Sequence, residues 1–278
     1  MELREPCLVV AVGFMGVGKT YTTTNETVNP YIHNGPDGWK ARPVLVFDPN
    51  AESSYQDYKA IDFDITEKGE YKRAEQIMKV KAPGKYKILP YKKNRQPMSA
   101  SEMVMTVCTI CKFFRNGLLI LEDINKYTGY SYKQDMVGLL IGLRHLGVDL
   151  ILHFQNLRFV PTRVWANMTY LRWHKQSDPI FKYKDRISNF ELFSIAEQIV
   201  EVKYQTDQYY YLYINVLKNK LLGVSQEDFR QGVINYLEKN QNELGRLTKQ
   251  MDIDGKKKYS DRKDAVTTYI ELKGKQYL

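Results

Sequence analysis

The sequence Gly13-Phe14-Met15-Gly16-Val17-Gly18-Lys19-Thr20 follows directly after the apolar run Cys7-Leu8-Val9-Val10-Ala11-Val12. These eight residues fit the pattern G-x-x-x-x-G-K-[ST], which needs a strand before it and a helix after it. The glycines Gly13, Gly16 and Gly18 let the backbone fold into a concavity whose N–H groups point at phosphate oxygens. The stretch therefore predicts a phosphate-binding loop between a first strand and a first helix.

The side chains of the loop add charge and a metal ligand to this concavity. Lys19 brings a point charge to the β- and γ-phosphates, and the hydroxyl of Thr20 is suited to bind Mg²⁺. The positive end of the following helix dipole adds to the attraction. A chance glycine-rich turn is the alternative, and the coincidence of the motif with its upstream strand argues against it. The predicted nucleotide-binding residues are Gly13, Met15, Gly16, Val17, Gly18, Lys19, Thr20 and Tyr21.

The bulk composition is that of an ordinary globular protein. The chain has 278 residues, of which 43% are hydrophobic and 26% charged, so it can hold one large or two small domains. Its apolar runs are far shorter than the ~20 residues of a membrane span, and its start does not read as a secretory signal. We therefore expect a soluble protein of the cytoplasm.

The charge favours an acidic partner. The chain carries 41 basic and 32 acidic residues, a net charge of +9, which suits nucleic acid. Residues 81–95 concentrate six of the basic residues and no acid, and this segment is either a phosphate-contacting surface or a solvated loop. Cys108 and Cys111 fall inside an apolar helical pattern, so we interpret them as inert buried thiols.

Apolar runs and helical patterns alternate through the first two thirds of the chain. This alternation predicts an α/β fold, a mostly parallel sheet covered by helices on both faces. The predicted strands are 7–12, 43–48, 86–89, 118–121, 148–154 and 168–173, and the predicted helices are 21–28, about 73–80, one starting after the capping box Ser99–Glu102, and 131–146. Pro30 and residues 34–38 are assigned to a loop.

The pattern changes beyond residue 180. We expect a helix over 190–200, an antiparallel hairpin of 200–203 with 209–216, and a long helix from Ser225 to about Gln250. The last 28 residues are predicted to be a flexible tail or an appendage. We place the domain boundary so that 1–217 form the core domain and 218–278 a C-terminal helical extension.

Two carboxylates end the apolar run Leu118-Leu119-Ile120-Leu121. Ligands gather at the carboxyl ends of strands in a parallel sheet, and an acid there carries a desolvation cost unless it is paired or bound to metal. We assign Glu122 to Mg²⁺, directly or through water, and Asp123 to activation of the attacking water. The reverse assignment stays open, as does the interpretation of both as solvated acids.

Other candidate site residues lie further along the chain. Gln155 ends the next buried strand, and its neutral amide could sense a γ-phosphate or a bound water. Arg144 lies one position off the apolar stripe of its helix and should face outward. It is either a solvated charge or an arginine finger for a neighbouring subunit, a role also open to Arg158 and Arg163.

Taken in order, these motifs resemble the FtsK–HerA superfamily of ring-forming, DNA-pumping ATPases, which includes viral genome-packaging ATPases. The resemblance covers about residues 5–180. It is carried by 13–20, by Val44 to Pro49 with Tyr55 after it, by 118–123, by Gly142 to Asn156 with its arginine, glycine and terminal glutamine, and by 160–161 and 166–170.

The resemblance implies a RecA-like fold, ATP with Mg²⁺ at subunit interfaces, and hydrolysis coupled to movement of duplex DNA. It implies a homo-oligomeric ring, hexameric or pentameric, and for a viral protein a location in the host cytoplasm or on the virion, with a capsid or portal vertex as a partner. By position, Glu122 is the Mg²⁺-site acid, Asp123 the catalytic acid and Gln155 the sensor. The family usually has Asp followed by Glu, so the inverted order here and the shorter Asp123 predict slow intrinsic turnover.

The leading functional hypothesis is a DNA-translocating ATPase that packages a viral genome. Three alternatives remain open: a motor that extrudes or transfers DNA, as zonula-occludens-toxin-like proteins are thought to do; a P-loop phosphotransferase acting on a small acceptor; and a nucleotide-switched scaffold that does not hydrolyse. A phosphotransferase would need an arginine-rich lid, and the sequence shows no convincing one.

Overall fold

The computed structural model describes residues 5–35, 38–61, 63–65, 71–72, 75–92, 94–128 and 134–278. The chain divides into two compact units, Met1–Tyr170 and Leu171–Leu278. The boundary placed at 217/218 from the sequence lies inside the second unit. Compactness alone does not define a functional domain, so that boundary remains a prediction.

A parallel sheet forms the centre of the first unit. Its strands run in the order β1-β8-β7-β2-β6-β3, and every neighbouring pair is parallel. The strands of this unit are β1 (Leu8–Val12), β2 (Pro43–Phe47), β3 (Lys59–Ala60), β4 (Asp64–Ile65), β5 (Tyr71–Lys72), β6 (Gly84–Ile88), β7 (Leu118–Leu121) and β8 (Asp149–Phe154), with β4 and β5 forming a separate antiparallel pair. Every residue of β2, β7 and β8 is buried, as expected of strands covered on both faces. The predicted α/β fold with a mostly parallel sheet is confirmed.

Short helices and longer ones alternate with these strands. They are α1 (Lys19–Thr22), α2 (Asn29–Tyr31), α3 (Glu75–Met78), α4 (Ala100–Phe113), α5 (Asn125–Thr128), α6 (Gln134–Gly142) and α7 (Thr162–Trp165). The predicted capping box is confirmed, because Ser99 and Glu102 cap each other's backbone N–H groups at the start of α4. The predicted starts of two helices, at residues 73 and 131, lie outside the described residues.

The helix after the phosphate-binding loop is longer than predicted. A π-helical segment, Thr23–Val28, joins α1 to α2, so the chain stays helical from Lys19 to Tyr31. Pro30, which was assigned to a loop, lies in α2. That assignment was wrong because the π-helical segment before Pro30 departs from the i→i−4 hydrogen-bond pattern in which the missing N–H of proline would break a helix.

The second unit contains the remaining regular elements. They are β9 (Tyr170–His174, which begins at the last residue of the first unit), α8 (Phe190–Lys203), β10 (Tyr211–Asn215), β11 (Lys220–Leu222), α9 (Gln226–Lys239), α10 (Gln241–Thr248) and α11 (Arg262–Tyr277). Strands β10 and β11 form an antiparallel hairpin. Within the described part of the chain, no helix is long and apolar enough to cross a membrane.

Three predictions for this unit were wrong. Residues 200–203 are the last turn of α8 and not a strand, because the packing of that helix overrides the β preference of its valines. The hairpin partner of β10 is β11. The helix expected over 225–250 breaks at Asn240, whose side chain accepts from the N–H of Glu243 and caps α10.

Of the two alternatives for the last 28 residues, the flexible tail is wrong, because residues 262–277 form helix α11. Its Tyr269, Lys273 and Tyr277 side chains all donate to the carboxylate of Glu191 on α8. Ala265, Tyr269 and Tyr277 are buried. Helix α11 is therefore an integral part of the second unit.

Candidate active site

The phosphate-binding loop connects β1 to α1 at the carboxyl edge of the sheet. Gly16 and Gly18 both have φ of 83°, in the left-handed region that disfavours other residues, which is the physical reason for glycine at these positions. The Lys19 ammonium lies within the curl of the loop and donates to the carbonyl oxygens of Gly13 (2.8 Å) and Phe14 (2.7 Å). The loop thus holds a nearly buried cation against two of its own carbonyl groups.

Most of the predicted site residues meet in one cleft of about 270 Å³. It is lined by Met15, Gly16, Gly18, Lys19, Thr20, Tyr21, Glu52, Glu122, Asp123 and Gln155. Met15 and Tyr21 are exposed beside the cleft, whereas the side chain of Val17 is buried in the core and offers only its backbone. The register explains the assembly, because Val12 pairs with Phe154 and Leu121 with Leu152, which aligns the strand ends.

Glu122 is the most constrained side chain of the cleft. One oxygen, Oε1, accepts from the Thr20 hydroxyl (3.3 Å) and from the Tyr55 hydroxyl. The other, Oε2, lies 2.7 Å from Nδ1 of His153. With only 2% of its surface exposed, this carboxylate ties the phosphate-binding loop to the end of β7.

The surroundings of Glu122 keep it ionised. Burial on its own raises the pKa of Glu122, because it penalises the charged form. The charge and hydrogen bond of His153, followed by the hydrogen bond from Tyr55 and the charge of Lys19, outweigh this and lower the pKa below 4.5. A buried carboxylate that stays charged is suited to hold a cation or an ordered water.

His153 extends this network back to the first helix. Its Nε2 lies 2.9 Å from the hydroxyl of Thr23, which in turn donates to the carbonyl of Lys19 (3.0 Å). His153 is fully buried in the middle of β8. An ionised Glu122 can only accept, so Nδ1 of His153 is the donor in that contact.

We expect His153→Ala to lower the free energy of unfolding by about 3 kcal/mol, because it leaves the buried Glu122 charge without its partner. Denaturant unfolding at neutral pH measures this, with the exposed His33→Ala as the control. Since folding lowers the pKa of Glu122, its ionisation stabilises the fold above pH 4.5 and ceases to do so as the pH falls through the folded value. If His153→Ala lowered the free energy of unfolding by less than 1 kcal/mol, the pairing of His153 with Glu122 would not have the importance given to it here.

Asp123 has different surroundings from Glu122. Its φ of 38° is in the left-handed region, and its side chain is half-buried at the cleft. Its Oδ2 accepts from Nδ2 of Asn50 (2.8 Å), which lies in the loop after β2. The Asn50 amide oxygen accepts from Lys126 (2.7 Å). The two neighbouring acids thus differ in environment, one enclosed and one open to the cleft.

The loop after β2 brings a third carboxylate, that of Glu52, to the cleft. Burial raises the pKa of Glu52, and the nearby charge of Glu122 raises it further. The loop is fixed by Asp48, whose carboxylate accepts from the backbone N–H groups of Asn50 (3.0 Å) and Glu52 (2.6 Å). Burial raises the pKa of Asp48 as well.

Sequence reasoning missed Asn50, Glu52 and His153 as site residues, and it used Tyr55 only for the resemblance. A signal was present for His153, which with Asp149 is one of two polar residues in the otherwise apolar stretch 148–154. Asn50 and Glu52 lie three and five residues after the end of β2, so the rule that ligands gather at the carboxyl ends of parallel strands points to this loop as well.

Arg144, predicted to face outward as either a solvated charge or an arginine finger for a neighbouring subunit, does not line the cleft of its own chain. Arg144 is exposed in a 3₁₀ turn, Leu143–Leu146, before the amino end of β8, whereas the cleft lies at the carboxyl end. Arg158 and Arg163 are also exposed, in the segment after Gln155. Among the described residues that line the cleft, Lys19 is the only cation.

Several lysines of the basic segment 81–95 already have partners within the protein. Lys93 lies outside the described residues. Lys85 pairs with Asp57 (3.4 Å), and Lys92 pairs with Glu102 (3.2 Å). Lys87 donates to the carbonyl of Tyr55 (2.6 Å) and so supports the residue that contacts Glu122. These three lysines stabilise the first unit, which weakens the hypothesis of a dedicated phosphate-contacting surface here.

Fold and site geometry together define the class: an α/β protein with the RecA-like fold of P-loop NTPases. No family model matches the sequence, and no curated protein matches it. Solved structures of the genome packaging NTPase B204 from Sulfolobus turreted icosahedral virus 2 do match. The complex with ATPγS is 15% identical over 78% of this chain and 95% of that chain, with a TM-score of 0.50.

Two further B204 structures give the same result. The AMP complex is 16% identical, covers 81% of this chain and 99% of that chain, and has a TM-score of 0.51. The sulfate complex is 17% identical, covers 78% and 95%, and has a TM-score of 0.50. The resemblance to genome-packaging ATPases that the motifs indicated is therefore confirmed at the level of the fold.

Proposed function

We propose that this chain is an ATP-driven DNA translocase that packages a viral genome as an oligomeric ring. The observation that carries the proposal is the 3.3 Å contact between Thr20 and Glu122, which joins the phosphate-binding loop to the acids at the end of β7. The fold shared with a genome packaging NTPase supports the choice of task. The net charge of +9 suits DNA as the partner.

The loop is built to take the phosphates of ATP. Loops of this motif offer backbone N–H groups to phosphate oxygens, and the Lys19 ammonium can exchange its two carbonyl partners for phosphate oxygens. The exposed Tyr21 and Met15 lie at the rim of the cleft, where they could contact the rest of the nucleotide.

The residues present also fit Mg²⁺, because a hydroxyl and a carboxylate are the hard oxygen ligands that this ion prefers. Thr20 would bind it directly. Both Glu122 oxygens already accept protein hydrogen bonds, which favours contact with the ion through water. Bound Mg²⁺ supplies charge neutralisation to the phosphates.

Hydrolysis needs a water aligned with the γ-phosphate. In this proposal Asp123 accepts a proton from that water as the water oxygen bonds to phosphorus and the bond to the β-phosphate oxygen breaks, giving ADP and phosphate. Gln155, with a neutral amide in the same cleft, is suited to orient the water. The short side chain of Asp123 is consistent with slow intrinsic turnover.

A ring would complete the site. The developing charge on the phosphates is usually stabilised by an arginine, and no arginine is found among the described residues that line the cleft. Arg144, Arg158 and Arg163 are exposed and therefore accessible to a neighbouring subunit. We propose a pentamer or hexamer that docks on a capsid or portal vertex.

ATP turnover with and without duplex DNA, measured together with mass in solution, tests the proposal. We expect DNA to stimulate hydrolysis at least several-fold and the active species to be a ring. Alanine variants at the three arginines identify the one that lowers kcat without loss of nucleotide binding.

Other results would select another function. Stimulation by single-stranded DNA alone favours extrusion or transfer of DNA. A monomer that phosphorylates a small acceptor favours a phosphotransferase, and nucleotide binding without hydrolysis favours a scaffold.

A further inference from the structure

Asn50 does not line the cleft, but its side chain hydrogen-bonds to Asp123, one of the acids that do. Its Nδ2 donates to Oδ2 of Asp123 at 2.8 Å. Among the described residues, this is the only side chain that hydrogen-bonds to the Asp123 carboxylate. The second oxygen of Asp123, Oδ1, can therefore accept a hydrogen bond from another donor, such as a water.

The direction of the Asn50 amide is fixed chemically. Lys126 can only donate, so the atom that it meets at 2.7 Å must be the amide oxygen. The Asp123 carboxylate can only accept, so the atom that it meets must be the amide nitrogen. With a donor on one side and an acceptor on the other, Asn50 cannot flip without losing both contacts.

The position of Asn50 is fixed as well. Its backbone N–H donates to Asp48 (3.0 Å), which is fully buried at the end of β2. Lys126 donates to the carbonyl of Pro49 (2.9 Å) besides the Asn50 side chain, so it clamps the loop at two points. Asn50 is exposed, but its backbone N–H and both ends of its side-chain amide are each held by a hydrogen bond.

Asp123 needs such a support more than a longer acid would. Its left-handed backbone sets the direction in which the side chain leaves the chain, and one methylene fewer than glutamate leaves little reach to correct an error. Misplacement of a reacting group by about 1 Å can cost about 100-fold in rate. The hydrogen bond from Asn50 removes the rotation that would cause such an error.

We propose that Asn50, held by Lys126, is a positioning residue that orients the Asp123 carboxylate toward the attacking water. The inference rests on the proposed function, because it assumes that Asp123 acts in hydrolysis. It assigns to the loop after β2 a part in the reaction that neither the phosphate-binding motif nor the strand-end acids reveal.

The test is the steady-state kinetics of Asn50→Ala with ATP. We expect kcat to fall by about 10- to 100-fold while the dissociation constant for ATPγS stays within about twofold of wild type. Lys126→Met, which frees the amide oxygen, should lower kcat by a smaller factor. Asn94→Ala is the matched control, since Asn94 is an exposed loop asparagine that caps only its own turn.

A double-variant comparison separates positioning from a structural role. In the Asp123→Asn background, followed under single-turnover conditions, Asn50→Ala should not lower the hydrolysis rate further, because the carboxylate through which Asn50 acts is already absent. A further tenfold loss there, an unchanged kcat in the single variant, or an increase in DNA-independent turnover would each overturn the inference.

The inference and the proposed function fail in different ways. If wild type hydrolyses ATP and Asn50→Ala is unaffected, only the role of Asn50 is refuted. If wild type binds ATPγS but hydrolyses nothing, the proposed function fails and the role of Asn50 falls with it.

Discussion

Lys19→Ala should reduce kcat/KM for ATP hydrolysis by about 1000-fold or more. Among the described residues lining the cleft, Lys19 is the only cation, so no neighbour replaces its charge. The substitution also leaves the carbonyl oxygens of Gly13 and Phe14 without their donor, and these would repel the phosphates. Phosphate release measures turnover, and a fluorescent ATP analogue measures affinity.

Two controls make this result specific. Lys112→Ala removes an exposed lysine from the last turn of α4 and should leave turnover unchanged. Thermal unfolding of Lys19→Ala shows whether the first unit still folds. A folded variant with wild-type turnover would remove the assignment of this loop to phosphate binding.

The parts of the site that the sequence predicted share one physical origin. A buried parallel strand is typically a run of apolar residues, so the ends of β1 and β7, and that of β8 despite its Asp149 and His153, could be predicted without a structure. Parallel strands end at the same edge, which makes it predictable that Glu122 and Gln155 meet the loop that carries Thr20. Their roles in hydrolysis remain predictions.

The hydrogen-bond partners that hold the two acids in place could not be predicted from the apolar runs. The contact of Asn50 with Asp123 spans 73 positions and depends on β2 lying beside β7, an order that apolar runs do not specify. His153 reaches Glu122 only because β8 also neighbours β7. The packing of the whole sheet decides the strand order. It therefore also decides that Asn50 meets Asp123 and that His153 meets Glu122.

The second unit shows the limit of local propensity. Valines at 200 and 202 favour a strand, yet helix α8 continues through them because its Leu192, Ile195 and Ile199 are buried in the unit. The polar composition of 262–277 indicated a tail, whereas three of its side chains converge on Glu191. In both cases contacts distant in sequence decided the structure.

The second large effect on turnover is expected for Asp123, because we assign different roles to the two acids at the end of β7. We expect Asp123→Asn to lower kcat by about 100- to 1000-fold while ATP still binds with wild-type affinity. The amide keeps the size of the side chain and can still accept from Asn50 through its oxygen, so the fold should be unaffected. What it loses is the ability to take a proton from water. Single-turnover hydrolysis and ATPγS binding measure the two quantities.

Glu122→Gln should behave differently, because the enclosed carboxylate is needed before chemistry begins. Its two oxygens face donors on Thr20, Tyr55 and His153, so an amide nitrogen at either position leaves a buried hydrogen bond unmade. That change should cost about 1–3 kcal/mol of stability and raise the Mg²⁺ concentration needed for half-maximal turnover. Asp57→Asn, at an exposed acid paired with Lys85, is the control for loss of a carboxylate.

The two variants together decide which acid acts on the water. A variant that is stable, binds ATP and does not hydrolyse it identifies the catalytic acid, and we expect this to be Asp123→Asn. If Glu122→Gln alone shows this behaviour with an unchanged Mg²⁺ requirement, the roles are exchanged. The geometry favours the first outcome, because Glu122 has no oxygen free of protein contacts, whereas Asp123 accepts a side-chain hydrogen bond at only one of its two oxygens.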